Sequence, residues 1–206
     1  MGKAQSSVIS LSDLYRVFDF IKDSNEIEFD FVYSGCEARA HKMAKILESI
    51  GIVSAKVFIH SQTRDEKLLR ITKDGEEIFW ESHVAPVIKV STGKKVIKQV
   101  KSGWFSTDEV LVDEVIDMVI DPAVSNKPLT LENWKKLIVN KKSKAESFIT
   151  SRFNFFTADK YEKRNSYNEA NEFHMMSGLD LGHQCIADKK NNIYNEKCDY
   201  SHLNTK

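Results

Sequence analysis

The chain of 206 residues lacks several features that define other classes of protein. No apolar run approaches the roughly 18 residues of a membrane-spanning helix, and no apolar stretch near the N-terminus resembles a secretory signal. Lysine plus arginine equals aspartate plus glutamate, at 30 each, so the basic excess typical of nucleic-acid-binding proteins is missing. We therefore expect a soluble globular protein with no membrane span and no nucleic-acid partner.

Cysteine is also scarce, and the three cysteines of the chain are Cys36, Cys185 and Cys198. The chain has neither the CxxC spacing of zinc sites nor a His-x3-His pattern, so we predict no metal and no other cofactor. The odd number leaves at least one free thiol. Cys185 and Cys198 are able to form one disulfide in an oxidising compartment, and a reduced cytosolic setting fits them equally well.

The most informative stretch runs over 34–43, where a glycine precedes a cysteine and an amphipathic pattern. Apolar residues at three- and four-residue steps predict a helix over about 36–50, ended by Gly51. Cys36 then lies at the positive end of the helix dipole, which favours the thiolate that a nucleophile needs. A buried, inert thiol is the alternative, and it is the commoner state of a free cysteine.

Hydrophobic periodicity divides the rest of the chain into further elements. It predicts helices over about 11–22, capped by Ser10, and 130–142, capped by Thr130. It predicts strands over 53–59, 68–72, 78–90, 96–100 and 115–120, with a turn at Gly93. Residues 145–156 are interpreted as a mixed, partly helical segment, and the polar remainder as loops and short pieces.

This order of elements predicts an α+β fold, in which the helix that bears the cysteine packs on an antiparallel sheet. We expect two parts and a monomer. A catalytic domain spans 1–156, and a polar C-terminal extension over 157–206 packs on it or trails from it.

A thiol nucleophile needs a base within hydrogen-bond reach, and His83 is the candidate. His83 interrupts an apolar strand, where an imidazole is costly to bury without a partner. His41 is a rival, but a five-residue helical step rotates its side chain away from Cys36. A histidine that only packs in the core is the alternative for His83.

Asp121 is the candidate for the group that orients the base, because it ends an apolar strand just before a proline. Asp113 and Asp117 are nearby carboxylates that an ordinary solvent-facing position explains as well. Cys36, His83 and Asp121 together form a predicted catalytic triad.

Three blocks of the sequence resemble the bacterial protein glutaminases, which are protein-glutamine deamidases. The blocks are GCEARAHKM at 35–43, WESHVA at 80–85 and IDP at 120–122, and the similarity extends over about 14–140. The resemblance implies a papain-like or transglutaminase-like fold and the same three triad residues. It also implies a protein substrate with an accessible glutamine.

The resemblance implies a reaction in which the Cys36 thiolate attacks the glutamine carboxamide and His83 protonates the departing ammonia. Water then hydrolyses the thioester to leave glutamate. Backbone N–H groups at the start of the cysteine helix would stabilise the oxyanion. Substrate contacts are expected from the residues around the thiol and the histidine block, namely Ser34, Gly35, Glu37, Trp80 and Ser82.

Two neighbours of the cysteine depart from the family pattern, which usually has an aspartate before Gly-Cys and an aromatic residue after it. Ser34 and Glu37 occupy these two positions. A carboxylate that points at the thiol opposes thiolate formation, so we expect Glu37 to face substrate or solvent. The substrate side of the site therefore departs from the family more than the triad does.

Other functions are compatible with the same residues. A transglutaminase or a cysteine protease would use the same triad with an amine acceptor or a peptide-bond target. A catalytically inactive protein-binding module, with Trp104, Phe105 and the aromatic tail as contacts, is the alternative of another class. We expect substrate specificity to lie in the loops over 60–67 and 101–107.

Secreted members of the resembled family have a signal, a pro-segment and stapling cysteine pairs, none of which this sequence shows. We therefore expect either a processed fragment of a secreted protein or a protein secreted, or translocated into a target cell as an effector, by a route that needs no N-terminal signal. A cytoplasmic protein is the alternative.

Overall fold

The computed structural model describes residues 7–61, 69–73, 75–102, 104, 106–140, 144–157 and 165–199. Within these ranges the helices are α1 (Leu11–Lys22), α2 (Cys36–Ser49), α3 (Leu131–Ile138) and α4 (Glu169–Lys190), followed by a 3-10 helix over Glu196–Cys198. The strands are β1 (Val8–Ser10), β2 (Ala55–Ser61), β3 (Leu69–Lys73), β4 (Glu76–Trp80), β5 (Ser82–Lys101), β6 (Thr107–Val119), β7 (Leu129–Thr130) and β8 (Ala145–Ser151). The α+β class predicted from the sequence is confirmed.

Strand β5 is the axis of a six-stranded sheet with the order β7-β6-β5-β2-β8. Strand β1 runs parallel to β5, and the other strand pairs of this sheet are antiparallel. Strands β3 and β4 form a separate two-stranded hairpin. None of the helices in the described ranges is both long and apolar enough to cross a membrane.

Two helices begin at the side-chain caps that the sequence predicted. The Ser10 hydroxyl accepts a hydrogen bond from the Asp13 N–H at 3.1 Å, and the Thr130 hydroxyl accepts one from the Asn133 N–H at 3.2 Å. Each bond satisfies one of the N–H groups that the first turn of a helix leaves without an acceptor. Local sequence therefore determines where α1 and α3 start.

Helix α2 is buried on two sides, because it packs against β5 and also against α4. Its buried positions are Ala38, Arg39, Ala40, His41, Met43, Ala44 and Leu47. Such a distribution is wider than the single apolar stripe of a surface helix. The helix that bears Cys36 is thus the middle layer between the sheet and the C-terminal helix.

The prediction of a turn at Gly93 is wrong. Strand β5 continues through Gly93, whose φ of +75° falls where the register between β5 and β6 shifts. The glycine therefore forms a local irregularity within a long hairpin, and β6 begins at Thr107 rather than at 115. The predicted strand over 78–90 is two strands, because β4 pairs with β3 and ends before β5 begins.

The two predicted specificity loops have different outcomes. The loop over 101–107 joins β5 to β6 at the far end of the hairpin, roughly 60 Å along β5 from His83 at the usual rise of a strand. Its position therefore does not support a role beside the predicted triad. Most of the other loop, residues 62–67, lies outside the described residues.

The C-terminal part was predicted wrongly in two places. Residues 145–151, interpreted as partly helical, form β8, which pairs with β2 along its whole length. Residues 169–190, interpreted as loops, form the longest helix in the described part of the chain. The inward positions of α4 recur at helical spacing but mix polar, small and apolar side chains: Asn171, Met175, Leu179, Gly182, Cys185 and Asp188. No apolar stripe therefore marks this helix in the sequence.

A disulfide between Cys185 and Cys198 joins α4 to the 3-10 helix, which answers the question that the sequence left open. Cys36 is a free thiol. Helix α4, within the predicted extension over 157–206, packs directly on α2. The boundary between the two predicted parts stays a prediction.

Helices α2 and α4 lie in close contact at Gly178. A Cβ atom at this position would lie 2.7 Å from the Cβ of Ala38, a distance that packed atoms do not tolerate. At Gly182, one turn further, an added Cβ would lie 3.5 Å from the nearest atom, an ordinary contact. The same helix therefore offers one glycine that packing requires and one that it does not.

We predict that Gly178→Ala destabilises the protein by about 1–3 kcal/mol, because α4 must move away from α2. Gly182→Ala should be neutral or slightly stabilising, since alanine favours a helix more than glycine does. Urea denaturation followed by circular dichroism measures both values. Equal stability of the two variants would contradict the close approach.

Candidate active site

Cys36 is the first residue of α2, and Gly35 before it has a φ of +74°, in the left-handed region that favours glycine. The first helical hydrogen bond runs from the Arg39 N–H to the Gly35 carbonyl oxygen at 3.0 Å. The N–H groups ahead of Arg39 therefore have no acceptor within the helix, and Gly35 has no side chain to cap them. The thiol thus lies beside unpaired helical donors, as its position in the sequence predicted.

Arg39 holds the segment 31–34, which precedes the cysteine, through hydrogen bonds to its backbone. Its buried guanidinium donates from Nη1 to the carbonyl oxygens of Phe31 at 2.6 Å and Ser34 at 2.7 Å. Burial lowers the pKa of Arg39, and the charges of Cys36 and Asp121 oppose that shift. Sequence reasoning missed this residue, although its position three residues after the cysteine placed it on the same side of the helix.

His83 and Asp121 form a buried pair. The Nε2 atom of His83 lies 2.8 Å from Oδ2 of Asp121, and the side chains are only 2% and 5% exposed. The indole N–H of Trp134 donates to the same carboxylate oxygen at 2.9 Å. The His83 ring also stacks on Trp80, with ring centroids 4.7 Å apart, and on Trp134, with centroids 5.8 Å apart. The imidazole is therefore held at one nitrogen and on its ring faces.

The other ring nitrogen, Nδ1 of His83, is buried and has no hydrogen-bond partner among the described residues. The backbone of Val84, the next residue along β5, forms a hydrogen bond with the Cys36 sulfur. The Val84 side chain also belongs to a small apolar cluster on which Cys36 packs. The structure therefore brings the predicted nucleophile next to the strand that bears the predicted base.

The rival residues lie elsewhere. Asp117 and Asp113 pair with lysines across the hairpin, with Lys89 at 3.1 Å and Lys95 at 2.7 Å. The Nδ1 atom of His41 lies 2.7 Å from the Nζ of Lys56, and its ring packs against Phe155. His41 thus belongs to a buried polar group beneath α2, and the His83–Asp121 pair is formed without it.

A cavity of about 300 Å³ opens beside the thiol. The five residues predicted to contact substrate all line it together with Cys36: Ser34, Gly35, Glu37, Trp80 and Ser82. The sequence did not indicate four further lining residues, which are Val32, Tyr33, Phe79 and Glu81. They flank predicted residues on the same two segments, so their proximity in sequence was the available signal.

The electrostatics of Cys36 correct two expectations. Burial raises the pKa of the thiol well above its usual value, and the neighbouring Glu37 carboxylate raises it further. The positive charge of Arg39 and the backbone of Val84 lower this pKa, but by less. The start of the helix therefore does not by itself produce a thiolate. Glu37 lines the cavity, yet its Oε2 accepts from the Cys36 sulfur at 3.3 Å instead of facing away.

Comparisons with known proteins agree with this architecture. A family model described as glutaminase matches residues 14–114. No curated protein matches the chain.

Three solved structures resemble the fold. A mutant pro-protein-glutaminase is 18% identical with a TM-score of 0.65, covering 88% of this chain and 62% of its own. A protein-glutaminase is 19% identical with a TM-score of 0.63, covering 86% and 89%. The protein-glutaminase of Chryseobacterium proteolyticum is 20% identical with a TM-score of 0.62, covering 96% and 95%. The chain thus spans less than two thirds of the mutant pro-protein-glutaminase. At identities of 18–20%, the likeness to these structures shows the fold alone.

We predict that Glu37→Gln makes Cys36 more reactive toward iodoacetamide near pH 7. Removing the carboxylate removes one cause of the raised pKa, so the pKa falls and the thiolate fraction at that pH rises. We expect an increase of roughly threefold to tenfold in the alkylation rate. Glu81→Gln, at another carboxylate of the cavity, is the matched control. An unchanged rate for Glu37→Gln would show that this carboxylate does not control the thiol.

Proposed function

We propose that the chain belongs to the protein-glutaminase family and that it deamidates glutamine side chains in proteins through Cys36, His83 and Asp121. The observation that supports the proposal most directly is the buried His83–Asp121 pair, together with the packing of Cys36, at the start of α2, against a cluster that contains Val84, the residue after His83. A thiol, a base and an orienting carboxylate on separate elements are the set that acyl transfer requires.

In the first step, His83 accepts the Cys36 proton as the sulfur attacks the carboxamide carbon of glutamine. Because the resting pKa of Cys36 is raised, proton transfer and attack are coupled, and the free enzyme holds mainly the thiol. Nδ1 of His83 is the suitable acceptor, since Nε2 is bonded to Asp121. The Asp121 carboxylate keeps the ring in this orientation and stabilises the imidazolium that forms.

The tetrahedral intermediate carries a negative oxygen that needs donors. The N–H groups of the first turn of α2 supply them, since they have no acceptor within the helix. His83 then returns its proton to the amide nitrogen, the carbon–nitrogen bond breaks, and ammonia leaves with a thioester on Cys36.

In the second step, His83 removes a proton from water, and the hydroxide attacks the thioester carbon. The carbon–sulfur bond breaks, and the sulfur recovers the proton. The net reaction converts glutamine and water into glutamate and ammonia, with no change in oxidation state and no cofactor.

The disulfide supports one of the expected cellular settings. Oxidising compartments preserve such bonds, so Cys185–Cys198 favours a protein that acts after secretion over one that acts in a reducing cytoplasm. The proposed substrate is a protein with an accessible glutamine, which the enzyme would meet there as an effector or a secreted hydrolase.

We predict that the wild-type chain releases ammonia from a glutamine-containing protein such as casein, and that Cys36→Ala abolishes the release while the circular dichroism spectrum is unchanged. Coupled ammonia detection gives the rate, and intact-mass analysis of the substrate identifies the product. Cleaved substrate would indicate a protease, and cross-linked substrate a transglutaminase. Equal ammonia from the alanine variant, or none from the wild type, would refute the proposal.

We predict that Asp121→Asn lowers kcat by about a hundredfold or more, because the amide no longer stabilises the imidazolium or selects its tautomer. The asparagine has nearly the same shape, so the melting temperature should change little. Asp117→Asn, at a carboxylate that pairs with Lys89 on the hairpin, is the matched control and should retain activity. Greater sensitivity at Asp117 would show that the orienting acid is assigned wrongly.

A further inference from the structure

A second and larger cavity adjoins the one at Cys36. Its volume is about 610 Å³, and it lies between the segment 30–33 and the C-terminal end of α4. Both cysteines of the disulfide line it. Tyr33 lines both cavities, so the two adjoin at this residue, and together they are called the cleft.

The cleft is acidic, although the chain has equal numbers of acidic and basic residues, 30 of each. Among the described residues that line it, Lys189 is the one basic side chain. The acidic ones are Glu37 and Glu81 beside the thiol, and Asp30, Glu76, Asp188 and Asp199 in the larger cavity. The lining of the cleft therefore carries a local excess of negative charge in a chain whose acidic and basic residues balance overall.

Two of these carboxylates accept hydrogen bonds from neutral side chains, which do not neutralise their negative charge. Glu76 accepts from the Tyr33 hydroxyl at 2.6 Å, and Asp188 accepts from the side-chain amides of Gln184 and Asn195, each at 2.7 Å. These donors are neutral, so they orient the carboxylates without cancelling their charge. Asp30 differs, because it pairs with Lys73 at 2.8 Å.

The larger cavity also presents apolar surface to a ligand. Ile193 and Tyr194 line it and are 56% and 78% exposed. Apolar rim residues beside carboxylates suit the side chains of lysine and arginine, which combine an aliphatic stem with a charged end. A neutral or acidic segment would gain less from this combination.

We propose that the cleft binds a positively charged segment of the protein substrate adjacent to the target glutamine, so that the enzyme prefers glutamines flanked by lysine or arginine. The proposal rests on the proposed deamidation at Cys36. Because Tyr33 borders both cavities, the basic residues would lie within a few positions of the glutamine on one side.

Synthetic peptides with one central glutamine test this preference. The set holds a neutral peptide, one with a lysine pair before the glutamine, one with the pair after it, and a glutamate-flanked peptide. We expect one lysine peptide to have the highest kcat/KM, through a lower KM, and the glutamate peptide to have the lowest. The advantage should shrink as salt is raised, because salt screens exposed charges.

The double variant Glu76→Gln and Asp199→Asn removes two charges from the larger cavity while keeping hydrogen-bonding side chains. We expect the KM of the preferred lysine peptide to rise about threefold or more, with less than a twofold change for the neutral peptide. Glu77→Gln is the matched control, since Glu77 follows Glu76 on β4 and pairs with Arg70 at 2.8 Å. This control should leave every KM unchanged.

The outcomes separate the two proposals. Ammonia from the neutral peptide at a rate equal to that of both lysine peptides would overturn the charge preference and leave the deamidase proposal standing. A glutamate peptide that is the best substrate would also overturn the preference. No ammonia from any peptide or from casein would overturn the proposed function itself.

Discussion

The site depends on the hydrogen bonds to the buried carboxylate of Asp121. This carboxylate accepts a hydrogen bond from His83 at the start of β5 and another from Trp134 on α3, while Asp121 itself follows β6. Three elements thus converge on one negative charge that is almost fully removed from water. A carboxylate in this position is stable only while its donors stay in place, so the packing of β5, β6 and α3 is coupled to the geometry of the site.

The second constraint is the close packing of α2 between the sheet and α4. Arg39 ties the segment before the cysteine to α2, and Gly178 lets α4 approach that helix to contact distance. Helix α4 then lines the larger cavity with its C-terminal end. Helix α4 is therefore one wall of the larger cavity, and the close packing at Gly178 also positions that wall.

The site combines opposing charges at short range. The thiol of Cys36 lies between Arg39, which favours its ionisation, and Glu37, which together with burial disfavours it. Sequence position suggested only the favourable effect of the helix end, because desolvation and side-chain direction depend on the complete fold. The raised pKa keeps the thiol of Cys36 protonated at rest, and a protonated thiol is less readily oxidised than a thiolate.

The sequence alone determined the local features: the caps at Ser10 and Thr130, the helix at Cys36, and the blocks that suggested His83 and Asp121. These depend on neighbouring residues, which sequence order makes visible. The tertiary structure decided β8, α4, the long β5–β6 hairpin and the direction of Glu37. Each of these depends on residues that are distant in the chain. Strand β8 forms by pairing with β2 at the sheet edge, and α4 is held by its contact with α2 at Gly178. The β5–β6 pairing continues past a register shift near Gly93, and the direction of Glu37 depends on the burial of the Cys36 sulfur.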